Sequence, residues 1–253
     1  MSNDLIELQY CLTFTTPFHF GTGLREGLLD RSVRRNTDGH LYVPGSTLKG
    51  VIREYCEQLC RFIDPADKRI SSPHDDISAL IDLYTPGDTL ITHIFGSHNQ
   101  AGLLFFDNAL QSPEEIELYN GSDSSQAEGK YKSMQTTAYT QVRIDRQTHT
   151  AVQGALYTSE FGRSNFSFTG TISGWLQHTA IEQQKGVSQE ILLLLAGLLM
   201  IERLGGNKST GKGACINEIT SLKINGGEAI GKDEWSHWLD HLDQLVISGG
   251  AEA

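Results

Sequence analysis

The sequence lacks any apolar run long enough to cross a bilayer. Its longest, Ile191 to Ile201, is 11 residues, where a spanning helix needs roughly 20. It reads as a buried helix, with no membrane partner. No basic and then apolar leader opens the chain, so no secretory signal is expected. Cysteine is scarce: Cys11, Cys56, Cys60 and Cys215 have no framework spacing, which points to a reducing cytoplasm. No HExxH, no serine-hydrolase elbow and no C-x-x-C is present, which removes the signatures of zinc peptidases, α/β-hydrolases and zinc ribbons. Positive charge is also short, with a formal net charge of −11. Taken whole, that argues against nucleic acid, whose binding is dominated by phosphate neutralisation.

The distribution of charge weakens that exclusion. Residues 21–53, 130–146 and 203–213 each carry a local +3, which leaves the remainder at −20. An acidic body with three basic segments presents one basic face if the fold gathers them. The fractions of hydrophobic (38%) and charged (20%) residues are those of a globular protein.

Ile6, Leu8, Tyr10, Leu12 and Phe14 alternate with polar residues, which predicts a half-buried strand over 5–16. Pro17 ends it, and an arginine-rich loop follows to about Asn36. A short strand before Pro44 leads through Pro44-Gly45, read as a turn in which glycine accepts a positive φ. A helix from Ser46 to about Ile63 follows, with Ser46 as N-cap. Lys49 and Arg53 lie four apart near its start, where free amides and the dipole favour an anion; solvated cations on an ordinary helix are the plainer reading. Residues 64–90 look like a polar insertion. Ile91–Phe95 is expected as a strand, then Gly102–Asp107 as another, and 111–129 as a mobile loop. Tyr131 to Tyr157 reads as a β-hairpin arm turning near Gln147–Thr150. A strand over 166–176, a helix capped by Ser188 and running to Arg203, and a strand over 214–224 complete the core. That order is the split βαβ, an α+β ferredoxin-like or RRM-like plan with long insertions.

Leu204 to Gly213 is a glycine-rich loop. Gly206-x4-Gly211-Lys212 matches the start of a P-loop, but Gly213 stands where a Ser or Thr is needed, and the loop follows a helix and enters a strand. Nucleotide hydrolysis is rejected. What remains is a loop of free backbone amides with Lys208, Ser209 and Lys212, suited to a phosphodiester backbone, or else a plain helix C-cap. Asp30 is an acid among arginines. Near a phosphate it can hold a divalent metal or take the proton of an attacking hydroxyl; a surface ion pair with Arg31 or Arg34 is the simpler alternative. Cys56 and Cys60 are spaced i, i+4, and with His74 they are weak candidates for structural Zn²⁺, against the alternative of buried small hydrophobes.

Four segments in order resemble the repeat-associated (RAMP) superfamily of CRISPR proteins, specifically the backbone subunit of type III effector complexes. They are Gly21-Thr-Gly-x6-Asp30, Val43-Pro-Gly-Ser-Thr-Leu-Lys-Gly-x2-Arg53, His93-Ile-Phe-Gly-Ser97 with Gly102–Asp107, and Leu204-Gly-Gly-Asn-Lys-Ser-Thr-Gly-Lys-Gly213. A fifth runs from Arg143-Ile-Asp-Arg146 through Gly154-Ala-Leu-Tyr157 to Glu160. The resemblance implies a single RAMP domain: an RRM-like palm (5–63, 91–110, 166–224), a lid-like insertion (64–90), a loop and thumb hairpin (111–157) and a C-terminal tail (228–253). It implies copies of the chain along a CRISPR guide RNA, together with other effector subunits and a complementary target RNA. It also implies an endoribonuclease in which Asp30 cuts the target at regular intervals in a metal-dependent reaction, with Mg²⁺ the expected ion. Arg25, Arg31, Ser46, Lys49, Arg53, Arg143, Arg146, Gly206, Lys208, Ser209, Gly211 and Lys212 are the implied RNA contacts. The alternatives are a non-catalytic guide-binding subunit, and a single-copy end-capping or guide-processing member.

Overall fold

The alternation from Ile6 to Phe14 becomes β1 (Asn3–Phe14), in which Ile6, Leu8, Tyr10, Leu12 and Phe14 are all buried. The computed structural model describes residues 3–63, 89–97, 101–120, 135–181 and 184–245. β1 is flanked antiparallel by β10 (Cys215–Ile224) and β7 (Phe166–Gln177). β7 also pairs with β3 (Leu104–Phe106) and β4 (Ala109–Gln111), and β4 with the two-residue β2 (Tyr42–Val43). The order β10-β1-β7-β4-β2 is the ferredoxin-like one that the element order predicts. Helices α1 (Gly45–Ile63) and α4 (Gln189–Leu199) pack on each other over the buried face of β1. Leu48, Ile52, Cys56 and Cys60 supply α1's side of that contact, each fully buried.

Three local expectations are corrected. Leu90–Phe95 is a helix, α2, in place of the expected strand from Ile91. Thr89 caps it, accepting from the Thr92 N–H, while the Thr92 hydroxyl accepts from the Thr89 N–H. Leu90, Ile91, Ile94 and Phe95 are buried, a helical spacing, against α1 and α4. Residues 113–120 form α3 (Pro113–Asn120), inside the stretch expected to be a mobile loop. The helix capped by Ser188 stops at Leu199 and not at Arg203, although the cap itself holds, with Ser188 Oγ accepting from the Ile191 N–H. Of the insertion expected over 64–90, residues 64–88 lie outside the described residues.

Pro44-Gly45 is not a turn with glycine at positive φ. Gly45 is the first residue of α1, it is absent from the positive-φ positions, and its N–H donates to Asn108 Oδ1 at 3.0 Å. Ser46 therefore sits inside the first turn and does not cap it. The glycine is required by space: a Cβ there would lie 2.0 Å from the Phe106 carbonyl oxygen. Gly45→Ala is expected to cost about 3 kcal/mol, the upper part of the overpacking range, because the obstacle is backbone. A loss in urea unfolding free energy of less than a quarter of that would mean β3 yields more easily than its pairing suggests.

The arm stands outside the main sheet. β5 (Thr136–Ile144) and β6 (Ala151–Gly162) pair only with each other as named strands. They turn over 145–150, where Asp145 Oδ1 accepts from the N–H groups of Gln147 and Thr148. Those bonds hold the Asp145 carboxyl below its ordinary range. The root of β6 is tied to the palm by paired bonds between Phe18 and Gly162. After β8 (Ala180–Ile181) and β9 (Gln184–Ser188), the C-terminal part adds α5 (Lys232–Trp238), which buries Trp235 and Trp238.

Candidate nucleic-acid interface

The arginine-rich loop is not loose. It runs along β6 as an added edge: the Asp30 N–H donates to the Thr158 carbonyl (2.8 Å), the Glu160 N–H to the Arg31 carbonyl (2.9 Å), and Arg31 bridges Ser159 in parallel. The Asp30 side chain completes this ladder. Its Oδ2 accepts from the Thr158 N–H at 2.9 Å, the position a backbone carbonyl would take. Its Oδ1 lies 3.5 Å from Arg25 Nε, an ion pair whose arginine is 83% exposed and which therefore contributes little. One carboxylate oxygen is thus a structural anchor. Asp30 also lines a pocket of about 290 Å³, together with Arg25, Arg31 and 154–157 of β6. Arg31 lies over the Tyr157 ring at 5.5 Å.

Beneath this ladder is a buried network. Glu160 Oε1 accepts from Arg35 Nη2 at 2.9 Å, and its Oε2 accepts from the Val33 N–H at 3.0 Å. Arg35 also donates to the Gly39 carbonyl, and the Leu41 N–H to Gln135 Oε1. Both charged groups are nearly enclosed, so each depends on the other. This pair fixes the Asp30 loop to the arm.

The glycine loop meets the other side of the same root. Lys212 Nζ lies 4.5 Å from the Tyr139 ring centre and 5.4 Å from that of Phe161. Lys208, Ser209 and Thr210 form one exposed 3₁₀ turn. The expectation of free backbone amides is corrected for four of them. The N–H groups of Gly206, Gly211, Lys212 and Gly213 are bonded to the carbonyls of His19, Lys208, Asn207 and Pro17. The bonded amides of Gly206 and Gly211 therefore shape the loop.

Lys49 and Arg53 belong to a different neighbourhood. Lys49 lies 5.7 Å from the Phe106 ring centre, and Arg53 Nε donates to Glu57 Oε1 at 2.8 Å. Burial first, and then the Arg53 charge, lower the Lys49 pKa. On α1's buried stripe Tyr55 lies on the flank influenced by Glu202 and Cys215, which bracket the glycine loop. At about 100° per residue, Lys49 and Arg53 fall on the opposite flank. The single groove expected from the sequence is therefore two cationic places: the arm root, with Arg25, Arg31 and Lys212, and the flank of α1. The α1 N-terminus offers fewer amides than expected, because Asn108 takes Gly45 and the Pro44 carbonyl takes Thr47 and Leu48. Arg143 and Arg146 are exposed near the arm's tip.

Of the three zinc candidates, only the two cysteines lie among the described residues. Cys56 and Cys60 are fully buried, and Cys56 Sγ donates to the Leu193 carbonyl at 3.4 Å. Burial, then Cys60 and Glu57, push the Cys56 thiol up. His74 lies outside the described residues, and among those described no three His, Cys, Asp or Glu gather as a metal site. A divalent ion at Asp30 is a different matter. Mg²⁺ commonly takes one or two carboxylates and completes its shell with water and substrate phosphate, so one partly exposed carboxylate beside two arginines fits it.

Two site residues carry no sequence signal beyond their alternation. His19, between buried Phe18 and Phe20, has Nδ1 2.7 Å from the Glu160 carbonyl, which accepts its proton, and its own carbonyl accepts from Gly206. Tyr139 reads as one β-former among several, yet it seats Lys212.

No described helix is long and apolar enough to cross a membrane. Residues 11–216 match the RAMP superfamily. No curated protein matches the chain. Among solved structures, a chain in the cryo-EM structure of the Type III-B Cmr-beta bound to cognate target RNA is similar, with a TM-score of 0.54 over 84% of this chain and 96% of that one. The two are 14% identical, so the likeness is one of fold.

Proposed function

The chain belongs to the RAMP superfamily, and from that premise we propose that it is a guide-RNA-binding backbone subunit of a type III CRISPR ribonucleoprotein that cuts complementary target RNA at Asp30. The observation that carries this reading is the Asp30 carboxylate, anchored by the Thr158 N–H and lining one pocket with Arg25 and Arg31. Arginines at such a pocket bind phosphate oxygens and carry no base preference. The reaction that suits one carboxylate is attack of a ribose 2′-hydroxyl on the adjacent phosphate. The O2′–P bond forms, the P–O5′ bond breaks, and the hydroxyl proton passes to solvent or to Asp30 before the 5′-oxygen is protonated. Arg25 and Arg31 offset the charge that develops on the phosphate. A divalent ion held by Asp30, when bound, supplies further charge stabilisation. Duplex RNA holds the 2′-oxygen away from the in-line direction, so the nucleotide must leave the helical stack before it reacts.

A second reading has an observation of its own. Both Asp30 oxygens have partners, Thr158 and Arg25, as a purely structural aspartate would. In that case the chain binds guide RNA without catalysis. Particles assembled with guide, other effector subunits and a matched target in Mg²⁺ decide between the two: evenly spaced cuts that depend on Asp30 support the enzyme, and cuts unchanged by its replacement support the scaffold.

Binding itself has a separate signature. Each lysine that neutralises a phosphate contributes about 0.7 to the slope of log affinity against log salt on a single strand. Replacing Lys208 and Lys212 by Gln is expected to lower that slope by about 0.7 per contact, equally for unrelated guide sequences. A loss that differs between guides would mean base reading in place of phosphate binding.

A further inference from the structure

Ser159 is 1% exposed, and its hydroxyl has no hydrogen-bond partner. Buried hydroxyls left alone are rare, because each has given up its bonds to water. The register of the arm shows what surrounds this one. Tyr139 pairs with Ser159 and Gln141 with Tyr157, so the four side chains form a square on one face. Gln141 Oε1 is a second buried atom without a partner. Its amide can turn over and present Nε2, a donor, in the same place. The two tyrosines occupy one diagonal of the square, and each carries a cation. Lys212 Nζ lies 4.5 Å from the Tyr139 ring centre, and the Arg31 guanidinium 5.5 Å from that of Tyr157. Arg31 also bridges Ser159 in parallel, which turns its side chain to the same face.

Two cations thus flank two buried polar atoms. Neither Arg31 nor Lys212 forms an ion pair among the described residues. The carboxylate beside Arg31, that of Asp30, is taken by Arg25 and the Thr158 N–H, and that of Glu160 by Arg35 and the Val33 N–H. Two unmatched charges around a lone hydroxyl suit an anion with several acceptor oxygens. We propose that this face of the arm root holds one free oxyanion of phosphate or sulfate size, bound by Arg31, Lys212 and the Ser159 hydroxyl. The enclosure selects a small ion over a strand. A ribose-phosphate chain has a sugar on either side of each phosphate and needs an open track, whereas Ser159 Oγ is closed to solvent. Entry is past Arg31, which is exposed and able to lift. An ammonium has three donors, so Lys212 can hold this ion and still meet an RNA phosphate. The ion joins three segments distant in sequence: the arginine-rich loop, the arm and the glycine loop.

The test is thermal unfolding of the full chain in phosphate or sulfate, against chloride at equal ionic strength. An ion that binds only the folded state should raise the melting temperature by about 4 °C at ten times its dissociation constant. Arg31→Gln, at an exposed position, and Ser159→Ala should each lose most of that rise. Equal melting in all three salts overturns the site, and so does a rise that either variant keeps in full. Equilibrium dialysis with radiolabelled phosphate separates a free ion from the path of RNA. Saturating single-stranded RNA should leave the bound phosphate in place. Phosphate released by RNA would assign both cations to the RNA path and overturn the proposal.

Discussion

Asp30→Asn is expected to slow target cutting by a factor on the order of 10² to 10⁴, the range associated with losing a positioned acid–base group, with guide binding unchanged. The asparagine is the informative replacement. Its amide oxygen can still accept from the Thr158 N–H, so the loop stays docked on β6, while the charge that would hold a divalent ion or a proton is gone. Asp30→Ala removes both roles. If Asn and Ala cut equally slowly, the defect is chemical. If Asn cuts nearly normally and Ala does not, Asp30 acts through the Thr158 anchor alone and the scaffold reading gains. Gel analysis of end-labelled target, with guide retention measured on the same particles, separates these results. Extra Mn²⁺ or Mg²⁺ should rescue Asn only weakly, because Arg25 and Arg31 remain but bring no negative ligand.

Glu160→Ala is expected to cost about 3–5 kcal/mol, the usual result of leaving one member of a buried ion pair without its partner. Arg35 would keep a charge only 16% exposed, with the Gly39 carbonyl and the Gln135 and Thr136 side chains as uncharged partners. At about 2–4 °C per kcal/mol for a chain of this size, the melting temperature should fall on the order of 10 °C. Cutting should fall further than stability alone explains, because Glu160 also holds Val33 and so the loop that carries Asp30. Replacing Arg35 and Glu160 together by Met should recover much of the stability and little of the activity, since apolar packing replaces the pair but not the Val33 bond. A Glu160→Ala chain that melts normally would show that the arm and loop are joined mainly by their backbone ladder.

The palm is legible in the sequence because its signals are local. Alternation in β1, the Ser188 cap and the element order each determine structure within a few residues. α2 is not, because Thr92 fills a capping role usually signalled by Glu or Gln, and tertiary burial then outweighs the β-formers Ile91, Thr92 and Ile94. Gly45 is legible as a glycine but for the wrong reason: the sequence suggests a turn, whereas the constraint is the Phe106 carbonyl, far along the chain. The site divides the same way. Asp30 stands out by its charge among arginines, but its anchoring needs Thr158, 128 residues away and ordinary in its local pattern. The cation set can be counted but not partitioned, since only folding separates the flank of α1 from the arm root.

One RNA–protein crosslink tests the central idea most directly, namely that a single rigid arm root carries both the cations and the carboxylate that meet the cut phosphate. A 4-thiouridine placed beside that phosphate in the target, irradiated in the assembled Asp30→Asn particle, is predicted to attach within residues 25–31 or 154–158. Attachment confined to the α1 flank around Lys49 and Arg53, with none on the arm, would contradict it.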